Sequence, residues 1–243
     1  MITVVVPIYN EKENIQPLLE EIVAAAEQLP ISEIIYVDDA STDGSWDILK
    51  SLRDQYPALR IIKHADNYGQ SAALWTGIKA GGNDFIVTLD GDGQNDPADI
   101  KSLWDTYQRH KDTTPKMMVL GIRTKRNDTW VRRASSRIAN AIRAGLLKDQ
   151  TKDTGCSLKL FRRWDYLNLP YFDHMHRFLP ALMKRENVRL IHVPVSHRPR
   201  IYGQSKYGTL DRAVVGISDI CGVLWLQKRS RRAFETAIHE DLT

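Results

Sequence analysis

The tightest concentration of chemically useful side chains in this sequence is Leu89-Asp90-Gly91-Asp92-Gly93-Gln94, where an apolar run breaks off into a loop. Carboxylates at i and i+2 on an extended turn, with an amide two residues further on, present hard oxygens to one Mg²⁺ or Mn²⁺, and such an ion binds a diphosphate. Asp90, Asp92 and Gln94 are therefore the candidate metal ligands. A solvated acidic turn uses the same residues just as often, so the surroundings have to decide. A second acidic strand end lies upstream, where Ile34-Ile35-Tyr36-Val37 runs into Asp38-Asp39-Ala40-Ser41. A carboxylate there either caps the next helix or accepts hydrogen bonds from a ribose or a pyrimidine N–H, a role of strand-end acids in nucleotide folds. The loop Pro7-Ile8-Tyr9-Asn10-Glu11-Lys12-Glu13-Asn14 has neither GxGxxG nor GxxxxGK[ST], which speaks against a dinucleotide or P-loop site.

Two basic segments could meet anions. In the loop holding Arg200, Gly203, Ser205 and Lys206, small residues allow bending, and two cations can meet an anionic ligand. The stretch 128–140 reads as an arginine-bearing helix in which Arg132 and Ser136, four apart, share a face and can hold a phosphate jointly. A solvated basic loop and an exposed basic helix are the plainer uses of these patterns. His174 and His176, at i and i+2 with no third ligand nearby, read as helix-entry or acceptor-pocket residues rather than a metal pair.

The elements that must position these groups alternate through the first half. Strands are predicted at 2–7, 33–37, 59–63, 85–89 and 117–121, each rich in Val and Ile and too apolar for one-sided exposure. Between them 13–28, 45–55, 71–80 and 97–110 carry helical periodicity, with Ser45 expected to cap one helix and Asp96-Pro97 to open another. The pattern predicts an α/β fold with a mainly parallel sheet flanked by helices, binding its ligand at the carboxyl ends of the strands. Past Arg123 the alternation weakens, so 1–121 is expected to be the donor and metal half, 122–226 the acceptor half of the same domain, and 227–243 a basic tail.

With 42% hydrophobic residues in 243, the chain can bury a real core. A net charge of +4 suits anionic ligands without choosing among them. Nucleic acid is not expected, because acids rather than a basic stripe mark the strand ends. Cys156 and Cys221 lie far apart without CxxC pairing and read as reduced thiols. No signal-like leader is evident, and the apolar stretch 214–226, interrupted by Asp219, falls short of the roughly 20 residues that span a bilayer. Trp225 and the run Lys228-Arg229-Ser230-Arg231-Arg232 beside it suit an anionic membrane interface; a core helix or a dimer contact is the alternative.

Taken in order, Pro7-x-Tyr9-Asn10-Glu11, Val37-Asp38-Asp39-x-Ser41-x-Asp43-Gly44, Asn67-x-Gly69 with Gly77, Asp90-x-Asp92, Gly121-x-Arg123, Asp153-x-Gly155 and Arg200-x-x-Gly203-x-Ser205-Lys206 resemble the family 2 glycosyltransferases. Within them the likeness is to the dolichyl-phosphate mannosyltransferase-like group that loads polyprenyl phosphates, and it covers nearly the whole chain. The resemblance implies a GT-A fold. It implies that Pro7, Tyr9, Glu11, Val37 and Asp39 hold the nucleoside, and that Asp90, Asp92 and Gln94 hold Mg²⁺ or Mn²⁺ and through it the diphosphate, with Gly91 beside them. Arg200 and Lys206 would grip the donor, while Arg123, Arg132 and Ser136 would meet the lipid phosphate; Asp92, Arg123, Arg200 and Lys206 are the expected catalytic set. The resemblance of the Asp128-Thr129-Trp130 stretch to bacterial members leans toward a uronic acid as the sugar.

The implied reaction is inverting transfer of a sugar from a nucleotide-sugar to a polyprenyl phosphate at the cytoplasmic face of a membrane, by a peripheral protein. A phosphate acceptor is already anionic and needs no general base, whereas a sugar hydroxyl, the acceptor of the alternative polysaccharide-building reading, does. A homo-oligomer or an integral membrane partner is left open.

Overall fold

The computed structural model describes residues 1–123, 145–147, 149, 151, 153–200 and 210–229. Arg132, Ser136, Lys206 and the tail 230–243 lie outside the described residues.

Strand β1 (Ile2–Ile8) is buried along its whole length, as a strand with apolar side chains on both faces must be. It is the third strand of a seven-stranded sheet of order β3-β2-β1-β4-β6-β5-β7. The other strands are β2 (Ile31–Asp38), β3 (Leu59–Lys63), β4 (Phe85–Thr88), β5 (Met117–Arg123), β6 (Lys159–Arg162) and β7 (Arg189–Val195). Pairings of β1 with β2 and β4, of β2 with β3, and of β5 with β7 are parallel, while β6 runs antiparallel to both β4 and β5. The carboxyl ends of six strands and the amino end of β6 thus share one edge of the sheet. The expected division at 121 falls within β5.

Helices α1 (Lys12–Ala26), α2 (Ser45–Arg53) and α4 (Ile100–His110) cover one face, where Val4, Val6, Ile15, Leu19, Leu49 and Leu103 are buried together. Helices α3 (Gln70–Ala80), α5 (Arg163–Leu167), α6 (Leu179–Arg185) and α7 (Leu210–Lys228) belong to the other side, where Val5, Ile78, Phe161, Tyr166 and Leu182 pack with Val223. Alternate residues of β1 thus feed opposite cores, the period-2 signature of a sheet covered on both faces. Gly77 lets α3 lie close on β1, since a Cβ there would stand 2.5 Å from Val5 Cγ1.

Asp96 caps the 3-10 turn Pro97–Asp99 through Ala98 N, as its sequence predicts. Ser45 does not cap α2. It lies inside the first turn, and Asp43 accepts its N–H (2.9 Å) and its hydroxyl (2.6 Å) instead. Gly44 at φ +95° supplies the left-handed bend that puts Asp43 there. Among the described residues no helix is long and apolar enough to cross a membrane.

Candidate active site at the carboxyl edge of the sheet

The loop after β4 is shaped by close contact with β1. Gly91 is buried where a Cβ would come 2.5 Å from Ile8 Cγ2 and 3.0 Å from Pro7 O, so only glycine lets the acidic turn rest on the strand end. Gly93 at φ +70° continues the turn, and Asp92 Oδ1 accepts Gln94 N–H at 3.1 Å. A side-chain clamp holds the other end: Asp90 N–H donates to Ser157 Oγ (3.0 Å), whose own proton goes to Asn95 Oδ1 (2.6 Å).

Asp90 and Asp92 stand side by side. Burial, and next the charge of Asp92, push the Asp90 carboxyl up to about 6, against the opposing pull of Lys159, Ser157 and Arg123. Both carboxylates attract N–H donors. Gln70 Nε2 reaches Asp90 Oδ1 at 2.7 Å, and Arg200 Nη2 reaches Asp92 Oδ2 at 2.8 Å and Glu11 Oε1 at 3.5 Å. Glu11 is 9% exposed and also accepts from Asn14 Nδ2 at 2.8 Å. The structure therefore brings Glu11 and Arg200 together with the acidic turn across more than half the chain. Gln94 Nε2 lies 3.4 Å from Arg198 O, and the Gln94 main-chain carbonyl accepts Arg198 N–H at 2.9 Å.

Behind Asp90, Arg123 at the end of β5 forms a two-pronged ion pair with Asp153, Nε to Oδ2 at 2.7 Å and Nη2 to Oδ1 at 2.6 Å. Lys159, the first residue of β6, is 5% exposed, and its ammonium donates to Cys156 O. Burial lowers the Lys159 pKa and raises that of the Cys156 thiol. Cys156 and Cys221 are both free thiols, as expected. Asp153, Ser157 and Lys159 reach the site because β6 runs backwards.

At the end of β2 the two acids have separate duties. Asp38 is fully buried and accepts Ser41 N–H at 2.9 Å. Asp39, expected against the nucleoside, has both oxygens engaged by the β3–α3 loop: Oδ1 by Tyr68 N–H (3.0 Å) and His64 Nδ1 (2.7 Å), Oδ2 by Gly69 N–H (2.7 Å). In the neutral ring His64 then uses Nε2 to accept from Thr76 Oγ1 at 2.9 Å. Val37 is fully buried in a cluster with Ile35 and Ala73, so a ligand meets at most its main chain, whereas Tyr9 is 37% exposed at the rim. Pro7 is buried, its carbonyl facing Gly91.

His174 takes a left-handed backbone at φ +62°, and His176 Nδ1 lies 2.7 Å from Ser71 Oγ. Neither gathers a metal-ligand set; among the described residues no three His, Cys, Asp or Glu side chains do. The Asp90–Asp92 pair nevertheless fits a divalent cation: two hard oxygen donors are brought together closely enough that, beyond burial, the charge of Asp92 raises the Asp90 carboxyl even with Lys159 and Arg123 nearby, and Mg²⁺ or Mn²⁺ can complete its shell with water and phosphate oxygens rather than protein ligands.

Sequence comparison is consistent with this geometry. The Glycosyl transferase family 2 profile matches residues 3–167. Over 236 residues the chain is 34% identical to the dodecaprenyl-phosphate galacturonate synthase of Rhizobium johnstonii, covering 95% of this chain and 68% of that protein. Over 212 residues it is 33% identical to an undecaprenyl-phosphate 4-deoxy-4-formamido-L-arabinose transferase of Edwardsiella ictaluri, covering 86% of this chain and 63% of the relative. The chain thus spans about two thirds of the length of these relatives. In fold it is similar to the glucosyl-3-phosphoglycerate synthase of Mycobacterium tuberculosis, solved with Mn²⁺, UDP-glucose and glycerol 3-phosphate, at TM-score 0.65 and 16% identity over 96% of this chain and 82% of that one. The sheet order and the neighbours make the architecture GT-A.

Proposed function

The chain belongs to glycosyl transferase family 2, and from that premise we propose that it transfers a sugar, with inversion, from a nucleotide-sugar to a polyprenyl phosphate. One observation carries the choice of acceptor. The carboxylates around the acidic turn are each bonded to an N–H donor: Asp90 to Gln70, Asp92 and Glu11 to Arg200, Asp39 to the β3–α3 loop and His64, Asp153 to Arg123. These bonds, and for Asp90 and Asp92 the cation they would hold, occupy the lone pairs with which a general base would act; a hydroxyl acceptor requires such a base and an ionised phosphate does not. The polyprenyl-phosphate activities of the relatives point the same way.

Asp90 and Asp92 would hold Mg²⁺ or Mn²⁺, which supplies positive charge to the diphosphate when bound. Mn²⁺ in the complex of the glucosyl-3-phosphoglycerate synthase supports a divalent ion. The chain's own residues do the remaining work. Gly91 sets the acidic turn against Pro7, and Asp39 fixes the loop that walls the nucleoside pocket, with Tyr9 at its rim. Arg200, held by Asp92 and Glu11, lies within reach of a leaving diphosphate and stabilises the charge it develops. Arg123, fixed in orientation by Asp153, offers a positive wall on the acceptor side, to which Arg132 and Ser136 are assigned as further anion contacts, while Lys206 is assigned with Arg200 to the donor. Alignment of two anionic substrates then carries the reaction.

Docking at an anionic lipid surface belongs to the same reading. Trp225 is 58% exposed, with the Arg229 guanidinium 5.4 Å over its ring, and Arg185 anchors this end of α7 through Leu226 O and Arg229 O, each at 3.0 Å. Vesicle sedimentation checks this: Trp225→Ala should lose binding to anionic vesicles, and full retention would refute it.

The function is tested by incubating the purified chain and Mn²⁺ with a panel of nucleotide-sugars, uronic acid donors first, with and without undecaprenyl phosphate. Nucleoside diphosphate release that depends on the lipid phosphate is expected. Equal release with a saccharide acceptor alone would overturn the proposal.

A further inference from the structure

Asp90 is reached from the first turn of α3, where Gln70 donates its amide to Oδ1 at 2.7 Å. A carboxylate only accepts, so the amide faces it through nitrogen. The turn that carries Gln70 is itself tied on both flanks. Ser71 is fully buried, and its hydroxyl meets His176 through Nδ1 at 2.7 Å and through the His176 N–H at 3.2 Å. On the other flank Gly69 N–H is held by Asp39 Oδ2 at 2.7 Å. A free carboxylate turns easily about its last torsion, whose energy wells are broad and two-fold. A hydrogen bond to one oxygen removes that freedom and decides which lone pairs remain for a ligand.

We infer that Gln70 is a positioning residue for the divalent-cation site: it holds one oxygen of Asp90 and so orients the carboxylate toward the ion, while Ser71 and His176 hold the turn from which it reaches. The inference rests on the reading of Asp90 and Asp92 as cation ligands. Hydrogen-bond partners of metal ligands typically change metal affinity by about 10–100-fold. An amide that merely filled the place of the ion would have the opposite effect, and its removal would tighten binding.

The sign of the effect therefore decides. Mn²⁺ binding to the full chain is measured by electron paramagnetic resonance of the free ion, alone and with UDP or GDP, for the parent, Gln70→Met, Gln70→Ala and Asp92→Asn. Methionine keeps the length and helix propensity of glutamine and lacks the donor. Gln70→Met is expected to bind Mn²⁺ at least about tenfold more weakly, with Gln70→Ala moving the same way. Metal-free Gln70→Met should keep the circular dichroism spectrum of the parent, so that the loss reports the site and not the fold. Unchanged or tighter Mn²⁺ binding in Gln70→Met overturns the inference, as does a loss accompanied by an altered metal-free spectrum. If Asp92→Asn binds Mn²⁺ like the parent, the acidic pair is not the cation site and both readings fall. If Asp92→Asn loses the ion while Gln70→Met keeps it, only the role of Gln70 falls.

Discussion

Lowering the pH should release the cation from this site well above the range in which an ordinary aspartate titrates. Asp90 is pushed from 3.8 to about 6 by burial and by Asp92, and the folded chain therefore binds a proton there that the unfolded chain releases. The sign follows directly: with a folded pKa above the unfolded one, the stabilising contribution is complete below 3.8 and is lost as the pH rises through 6. A shift of this size corresponds to roughly 3 kcal/mol between the two protonation states, taking about 1.36 kcal/mol per unit. A divalent ion takes the place of the proton, so its apparent affinity should fall about tenfold per pH unit below 6 as one proton competes for one site. Calorimetric titration of Mn²⁺ with UDP at pH 7.5, 6.5, 5.5 and 5.0 measures the slope. Thermal melts give the mirror image, Mn²⁺ raising the melting temperature at pH 7.5 and doing little at pH 4.5. Because Asp165 and Asp219 are also raised by burial, the comparison is made with Asp90→Asn, which should remove the slope. An affinity flat from pH 7.5 to 5.0 in the parent, or the same slope in Asp90→Asn, would refute the reasoning.

Three further outcomes follow from the same geometry. Asp153→Asn leaves the largely buried Arg123 cation without its two-pronged partner and should cost about 2–4 kcal/mol in urea unfolding, while the double change Asp153→Leu, Arg123→Met should cost less; equal costs would contradict this. Gly91→Ala places a methyl 2.5 Å from Ile8 Cγ2, a misfit of about 1–3 kcal/mol, and turnover should fall at least about tenfold with the acidic turn displaced; unaltered kcat would show the turn is not held to this position. Arg200→Met removes the donor shared by Asp92 and Glu11 and should lower kcat by about 10²–10³-fold, with a rise in donor KM alone arguing for binding without charge stabilisation.

How much of this was legible in the sequence depended on the range of the interaction. Strands β1 to β5 could be read from local composition, because a sheet covered on both faces demands unbroken Val and Ile runs, and Asp90 and Asp92 showed themselves as acids at the end of one. The antiparallel β6, four residues long, has too few positions for a period to emerge. Ser45 is no cap because its own N–H and hydroxyl are taken by Asp43 and its oxygen accepts Glu11 N–H, while Asp47 and Ile48 N–H turn to the Gly44 carbonyl. Gln70, Asn95 and Ser157 carry no local signature: an amide in a helix and a serine in a loop acquire meaning only when folding sets them against Asp90. Asp153 stands in the motif Asp153-x-Gly155, yet its duty, orienting Arg123, depends on β5 and the approach to β6 lying side by side.

The reversed direction of β6 has a consequence for how such a protein can diversify. Since β5 leaves the sheet and β6 enters it at one border, with Leu120 beside Lys159, everything between them departs and returns at neighbouring anchorage points. The entropy of closing such an excursion grows only with the logarithm of its length, about 0.6 kcal/mol per doubling. Descendants can lengthen or shorten the early part of that span at little entropic cost, provided that Asp153 and Ser157 near its end keep their hold on Arg123 and Asp90.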